Sequence, residues 1–320
     1  MKTHGLMVVL AVTLGASGRV WAWDDFGHME VAAAAFPALK PKTKARVSQL
    51  LKLNPSYANW IVGAAKKDQA RVAFMRAATW ADAIKSDHAY KDDDQKAPTA
   101  AQNIGYTDLL RHKYWHYVDH PFSPDGTPTV EATQPNAETQ IPLLREALCA
   151  PSTSDDVKSY DLAWLLHLVG DVHQPLHCVS RYDHDTPSGD RGGNLIKIAG
   201  NAQPPVCDDP RFCPFGPPDE LHAFYDDITG SGYCAAEVAT AAAALPKPPA
   251  AKAVIRDPAT WIQEGQELAR TIVYTSPIGA GAGPFSIDAA YQKRALALGK
   301  QRIALAGARL ANLVNDCLSK

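Results

Sequence analysis

The chain has 320 residues, of which 46% are hydrophobic and 21% charged, and this composition excludes a disordered or fibrous protein. Lysine and arginine together number 32 against 34 aspartate and glutamate residues, which gives a formal charge of -2. A protein that coats duplex DNA through a general basic field is therefore excluded, and any recognition of an anion must be local.

The first 22 residues have the features of a secretory signal peptide. Lys2 precedes an apolar run at 6–14, and the segment ends in the cleavage-site pattern Val20-Trp21-Ala22. The run is too short to span a bilayer, and no later stretch reaches the roughly 18 uninterrupted apolar residues that a spanning helix needs. We expect an exported, secreted or periplasmic protein whose single domain covers 23–320.

Hydrophobic spacing predicts an all-α fold class, a mostly helical domain with a few short strands. A first helix is expected around Val47, Leu50 and Leu51, and others over 160–172 and 221–228. Asp257 and Pro258 have the features of a helix N-cap and first residue. From Ala289 onward, Ile303, Leu310 and Cys317 recur every seven residues and predict a long C-terminal helix.

Strand signals are sparse. The best one is at 195–198, within a Gly/Pro-rich stretch at 185–218. Loops are expected at 92–102, 121–135, 245–249 and over the rest of 185–218, where glycine, proline and polar residues cluster.

The six cysteines lie after the signal segment, at 149, 178, 207, 213, 234 and 317. Export would permit disulfides, although six cysteines allow fifteen pairings. Cys207 with Cys213 is the one pair that the sequence suggests, because the two residues flank a short loop. A zinc–thiolate site is the alternative, but the chain contains no C-x2-C pair.

Metal-binding residue types are dense at 166–177. His167 and Asp171 are four positions apart, which places both side chains on one face of a helix, where they can bind one cation. Pro175 should end that helix, and the bend can bring His177 toward the same cavity. The alternative is a histidine and an aspartate that only hydrogen-bond each other in the core.

Similar side chains recur elsewhere. His222 and Asp226 repeat the four-residue spacing, His116 lies among aromatic residues, and Asp82 follows Trp80 by two positions. A carboxylate buried beside aromatic rings needs a partner, because an unpaired buried charge is strongly unfavourable. Imidazole together with carboxylate suits zinc, which is therefore the expected partner.

Taken in order, these residues resemble the type I nuclease family, the zinc-dependent single-strand-specific nucleases related to bacterial zinc phospholipase C. The resemblance implies a mostly helical domain with three zinc ions per chain. It assigns Asp82, His116, His167 and Asp171 to one zinc and His177, His222 and Asp226 to a second. The third takes His28 and the α-amine and carbonyl of Trp23, with Asp171 bridging it to the first.

The resemblance also implies the activity. The related enzymes hydrolyse single-stranded DNA and RNA to 5′-phosphorylated products, and the expectation extends to 3′-nucleotidase activity. Asp82 and Lys85 match positions that orient the nucleophile and stabilise charge on phosphorus. Tyr117, Asp119 and Asp227 match substrate-binding positions, although relatives carry asparagine in place of Asp227. The alternatives are a solvated Lys85 and core roles for Tyr117 and Asp119.

Zinc would reverse the local charge. Without the signal segment, and so without Lys2 and Arg19, 30 basic and 34 acidic residues leave a formal charge of -4. Three dications against the ligand carboxylates of Asp82, Asp171 and Asp226 leave a local excess of +3. The cleft can therefore attract single-stranded DNA, RNA and nucleotides, while we expect a monomer with no stable protein partner.

Two alternative functions share the zinc chemistry. In phospholipase C the last ligand is a glutamate, where this chain has Asp226. Its first ligand histidine also lies further from the N-terminal tryptophan than His28 lies from Trp23. A non-catalytic exported zinc-binding protein is disfavoured, because the ligand set leaves positions open to substrate. Five further histidines match no ligand position and are expected at the surface or beside the ligands: His88, His112, His120, His173 and His184. The role of the stretch 181–220, longer than in fungal relatives, is left open.

Overall fold

A computed structural model describes residues 23–200 and 217–319. Helices dominate these ranges: α1 (Asp25–Ala35), α2 (Pro41–Leu51), α3 (Tyr57–Trp60), α4 (Gln69–Ala77), α5 (Trp80–Ser86), α6 (Ala137–Cys149), α7 (Asp155–Asp171), α8 (Leu221–Asp226), α9 (Ala235–Ala243), α10 (Ala250–Ala253), α11 (Pro258–Leu268) and α12 (Ala289–Leu318). Short 3₁₀ turns lie at Phe36–Ala38, Gly105–Thr107, Lys113–His116 and Pro175–Cys178, and a π turn at Ala269–Val273.

Three-residue strands form two parallel pairs, β1 (His120–Phe122) with β2 (Val179–Arg181) and β3 (Ile198–Gly200) with β4 (Phe285–Ile287). In their registers, His120 pairs with Val179 and Ile198 with Phe285. The dominant helices, together with strands that are few and short, confirm the predicted fold class, a mostly helical domain. The first pair matters for the site, because it joins the segment after His116 to the segment after His177.

The strand predicted at 195–198 is wrong in position. Gly192 and Gly193 have φ angles of +60° and +83° and turn the chain, and Ile196 N still donates to Gly193 O at 3.1 Å. Leu195 is consequently 42% exposed, and the strand begins at Ile198, after an isolated bridge between Lys197 and Glu220. The loop predicted at 121–135 also loses its first two residues to β1, while the loops at 92–102 and 245–249 are confirmed.

Helix ends follow local capping. Helix α7 begins before the predicted residue 160, because Ser154 Oγ accepts a hydrogen bond from Val157 N. Helix α8 ends at Asp226, two residues earlier than predicted. The Asp257 cap is confirmed, since its carboxylate accepts from the main-chain N–H groups of Ala259 and Thr260.

The predicted C-terminal helix is confirmed as α12, which packs against α1, α2, α6 and α7. Ile303 and Leu310 of the seven-residue stripe are fully buried. The helix approaches α1 closely at Gly307, where a Cβ atom would lie 2.7 Å from the Cβ of Ala34. Burial of such an apolar stripe supplies most of the stability of a helix in a protein.

A disulfide joins Cys149 at the end of α6 to Cys317 near the end of α12. The sequence did not suggest this pair, because the two residues are 168 positions apart. Cys178 and Cys234 are not bonded to another cysteine of the described chain, and the suggested Cys207–Cys213 pair lies outside the described residues. In that described part, no helix is both long and apolar enough to cross a membrane.

Candidate metal centre

The predicted ligand side chains come from six segments that meet at the C-terminal end of α7. They are His28 on α1, Asp82 on α5, His116 in the turn Lys113–His116, His167 and Asp171 on α7, His177 in the turn Pro175–Cys178, and His222 and Asp226 on α8. All eight side chains belong to buried residues that are at most 3% exposed. Residues that are distant in sequence therefore form one buried polar site.

Asp171 lies at the centre of a first group. Its carboxylate oxygens lie 3.2 Å from His28 Nε2, 3.1 Å from His116 Nδ1 and 3.2 Å from His167 Nε2. The oxygens of Asp82 lie 3.9, 3.6 and 3.5 Å from the same three nitrogens. Two carboxylates thus face three imidazoles at spacings that can hold metal ions.

His177, His222 and Asp226 form a second group. His222 Nε2 lies 3.2 Å from His177 Nε2 and 3.4 Å from Asp226 Oδ2. The sequence prediction missed Gln174, whose Nε2 donates to Asp226 Oδ1 at 2.8 Å. A polar amide between two predicted ligands was the available signal.

Backbone carbonyls orient three of the histidines. The Nδ1 atoms of His167, His177 and His222 lie 2.6, 2.8 and 2.6 Å from the carbonyl oxygens of Ala78, His116 and Gly192. An Nδ1–H donated to a carbonyl leaves Nε2 as the free acceptor, which is the tautomer that binds metal. In all three rings Nε2 points toward the neighbouring predicted ligands.

The stretch at 181–220 has a definite role in this orientation. It contains Gly192, whose carbonyl oxygen accepts the hydrogen bond from His222 Nδ1. The φ of Gly192 is +60°, a conformation in which any other residue would be strained. A Cβ atom at Gly192 would also lie 2.3 Å from the carbonyl oxygen of Leu176. The pair of glycines at 192–193 was the sequence signal for this close approach.

Trp23 lies against Gly170, the residue before Asp171. It is fully buried, and its indole Nε1 donates to Gly170 O at 3.0 Å. The next residue continues toward the second group, since Asp24 N donates to Asp226 O at 3.2 Å. The absence of a side chain at Gly170 is required here, because a Cβ would lie 2.9 Å from His28 Nδ1.

Several buried polar atoms of the site have no hydrogen-bond partner in the described chain. They include Nδ1 of His28, Oδ2 of Asp82 and Nε2 of His116. Buried polar atoms are rarely left unpaired, and each such atom calls for an explanation. Imidazole nitrogens and carboxylate oxygens are ligands of zinc, so this donor set fits a metal cation.

The charges of the first group are those that a metal site needs. The pKa of Asp171 lies well below its ordinary value. Burial alone would raise it, but the neighbouring imidazoles have the larger effect. Burial opposes a proton on His167, yet Asp171 and Asp82 raise its pKa. Burial and the nearby Lys85 lower the pKa of His116 to about 3. Ionised carboxylates and neutral imidazoles are competent ligands, and a bound cation would favour the unprotonated form of His167.

The second group differs in its protonation. Burial lowers the pKa of His177 to about 3, and burial raises the pKa of Asp226 well above its ordinary value. A cation beside Asp226 would oppose this shift, because it favours the ionised carboxylate.

Lys85 is not a solvated lysine. Its Nζ lies 2.6 Å from Asp82 Oδ1, one helical turn away, and its side chain is 13% exposed. The pKa of Asp82 lies below its ordinary value. Burial alone would raise it, but Lys85 and the imidazoles of the first group have the larger effect. Lys85 therefore places a positive charge at the edge of the site.

Two of the three predicted substrate-binding residues, Asp119 and Asp227, lie near the second group, and Tyr117 follows His116 of the first. Tyr117 is half-buried and follows His116 directly, while Asp119 has a φ of +59°. Burial raises the pKa of Asp119 to about 7, although His222 and Arg191 oppose the shift. Asp227 follows α8, and burial together with Asp24 and Asp226 raises its pKa to about 8. Both carboxyl groups thus occupy poorly solvated positions.

Two of the remaining histidines are buried rather than at the surface. His112 is buried between Asp93 and Asp108, with its ring stacked 3.8 Å from that of Trp115. His173 is buried against Arg309. Asp93 and Asp108 satisfy the ring nitrogens of His112, while Arg309 Nη1 and Val169 O satisfy those of His173. His88 and His184 are exposed and His120 is half-buried.

The sequence model of the S1/P1 nuclease family matches residues 23–319, nearly the whole described chain. The chain belongs to the S1/P1 nuclease family. Among curated proteins, none matches it.

As a member of the S1/P1 nuclease family, the chain is a nuclease, a hydrolase that acts on nucleic acid. The resemblance inferred from the ordered histidines and aspartates is thereby confirmed at the level of the family. The match favours the nuclease interpretation over phospholipase C and over a non-catalytic protein. The S1/P1 nuclease family depends on zinc, and the groups described above could hold such ions.

Proposed function

We propose that this chain is an exported endonuclease with three zinc ions, which hydrolyses single-stranded DNA and RNA to 5′-phosphorylated products and also acts as a 3′-nucleotidase. The observation that carries the proposal is the convergence of eight buried imidazole and carboxylate side chains, several with unpaired polar atoms. Removal of 1–22 would precede activity, and the domain would work as a monomer, secreted or periplasmic. The disulfide is consistent with such a compartment.

The donor set divides among the proposed ions as the family resemblance implies. Asp82, His116, His167 and Asp171 would hold one zinc, His177, His222 and Asp226 a second, and Trp23, His28 and Asp171 the third. Bound zinc supplies a water of lowered pKa and stabilises negative charge on the phosphodiester oxygens.

The remaining chemistry belongs to side chains. Asp82 lies within 2.6 Å of the Lys85 ammonium and can accept a hydrogen bond from the nucleophilic water, while Lys85 faces the charge that develops on phosphorus. Tyr117 offers its ring to a base, and Asp119 and Asp227 offer carboxyl groups to polar substrate atoms. Stacking on one ring tolerates every base, and a paired base must leave its duplex first, so single strands are preferred.

The proposal is tested by zinc content and substrate range together. Protein beginning at Trp23 is expected to contain about three zinc ions per chain, to cleave single-stranded DNA faster than duplex DNA, and to lose activity with a chelator. Phosphatidylcholine is the contrasting substrate for the same preparation. Full nuclease activity without bound metal would refute the mechanism, and preferential cleavage of phosphatidylcholine would refute the substrate.

Tyr117→Ala is expected to weaken binding of a dinucleotide by about 1 to 3 kcal/mol, the usual contribution of one base stack. The effect should appear in KM, because Tyr117 is not one of the predicted ligands. Tyr117→Phe, which keeps the ring, serves as the matched control and should bind normally. An unchanged KM in Tyr117→Ala would indicate a packing role instead.

A further inference from the structure

A buried ion cluster lies behind the turn that joins the two groups of predicted ligands. The turn leaves α7 at Asp171 and reaches His177 six residues later. The cluster consists of Glu264 on α11 and of Arg302 and Arg309 on α12. Arg302 is 3% exposed and Arg309 is fully buried, so both guanidinium groups are removed from water.

Hydrogen bonds connect this cluster to one residue of the turn. Arg302 Nε donates to His173 O at 3.0 Å, and Arg309 Nη1 donates to His173 Nε2 at 3.0 Å. The ring is fixed from its other side, since His173 Nδ1 lies 2.7 Å from Val169 O. Glu264 holds both arginines, accepting from Arg302 Nη1 at 2.9 Å and from Arg309 Nη1 and Nη2 at 2.8 and 3.0 Å.

The conformation of this turn sets the separation of the two groups. Asp171 at its start belongs to the first group, and His177 at its end belongs to the second. Between them, Gln174 donates to Asp226 at 2.8 Å and accepts from Leu176 N at 2.6 Å. A displacement of His173 would move Gln174 and His177 relative to Asp171, because the main chain connects them within a few bonds.

The charge balance argues against a purely stabilising role. Two buried guanidinium groups face one carboxylate, and the remaining donors are used on main-chain carbonyls, among them His173 O and Lys252 O. Desolvation of buried ions commonly offsets their attraction, so apolar side chains would pack these helices at least as well. Polar clusters of this kind can instead fix a single geometry.

We infer that Arg302 and Arg309, held by Glu264, are positioning residues that fix the separation of the two metal-binding groups through His173. The inference rests on the proposed zinc sites. The second group depends on the turn more heavily, since the turn supplies His177 and orients Asp226 through Gln174. The first group takes its other ligands from α1, α5, the turn Lys113–His116 and α7.

The test is zinc occupancy of Arg302→Met, measured by elemental analysis after equilibration at graded free zinc. One zinc per chain is expected to bind about tenfold or more weakly, the usual effect of removing a residue that orients ligands, while the others bind normally. Arg302→Lys, which keeps the positive charge but not the planar fork of guanidinium donors, should lie between this variant and the unaltered chain. Leu310→Ala, a change of a fully buried core residue on the same helix, is the matched control for general destabilisation.

Folding is followed by circular dichroism in every variant. Normal zinc occupancy in folded Arg302→Met, or in folded Arg302→Lys if the methionine variant does not fold, overturns the inference. An equal loss of zinc in Leu310→Ala also overturns it, because general destabilisation would then explain the effect. Failure of the unaltered chain to bind zinc or to cleave single-stranded DNA would refute the proposed function itself. That outcome is seen without any variant, whereas the inference about Arg302 is tested only by comparing variants with the unaltered chain.

Discussion

Asp82→Asn is expected to lower kcat on single-stranded DNA about a hundredfold to a thousandfold, the usual loss when a key electrostatic group is removed. The two side chains have the same shape, so the change removes charge rather than volume. Oδ2 of Asp82 is buried without a hydrogen-bond partner in the described chain, and Lys85 Nζ lies 2.6 Å from Oδ1. The amide would weaken a zinc ligand and remove the negative charge that Asp82 presents to the Lys85 ammonium.

Asp161→Asn provides a matched control for that variant. Asp161 is also fully buried, but burial raises its pKa to about 8, so its carboxyl group is mostly uncharged at neutral pH. The amide should therefore be tolerated there, with normal zinc content and kcat. Steady-state kinetics and elemental analysis on both variants separate the two cases. Near-normal turnover of Asp82→Asn with full zinc content would remove Asp82 from the site.

A chain with one extra methionine before Trp23, or one that retains 1–22 through a blocked cleavage site, is expected to hold about two zinc ions rather than three and to lose most activity. The proposed third ion is bound by the α-amine of Trp23, whose ordinary pKa of about 8 allows it to lose a proton when metal binds. An amide nitrogen cannot replace it. Elemental analysis and single-stranded DNA hydrolysis, compared with protein beginning at Trp23, measure the effect.

Trp23→Phe in protein beginning at residue 23 separates the amine from the indole. This variant keeps the free amine but loses the hydrogen bond from the indole to Gly170 O. It should be somewhat less stable, yet retain three zinc ions. Equal zinc content and activity in the extended and the processed chains would show that the N-terminus is no ligand.

The sequence predicts those parts of the site that depend on local periodicity. His167 with Asp171 and His222 with Asp226 were expected on one helix face because four residues make about one turn, and the structure places each pair at 3.2 and 3.4 Å. The long helix α12 follows from its apolar stripe in the same way. Convergence of six segments, by contrast, was expected only through the resemblance to a family.

Features that depend on tertiary contact could not be predicted. Carbonyl groups such as that of Ala78 orient imidazoles across long sequence distances, and every residue carries a carbonyl, so the sequence contains no signal for them. His173 was expected at the surface or beside a ligand, because its partner Arg309 lies on a helix 136 positions away. Glycines at 192–193 were visible, but only the structure shows what approaches them.

The Cys149–Cys317 bond closes a covalent loop that contains five of the predicted ligands, from His167 to Asp226. This covalent loop includes exposed connections between helices, such as the proline-rich segment 245–249 between α9 and α10. A protease that cuts there once produces two fragments that the disulfide still holds together, including the helix that carries Arg302 and Arg309. In the secreted or periplasmic setting proposed for this enzyme, a single cleavage in this segment would therefore break one peptide bond without releasing any part of the site.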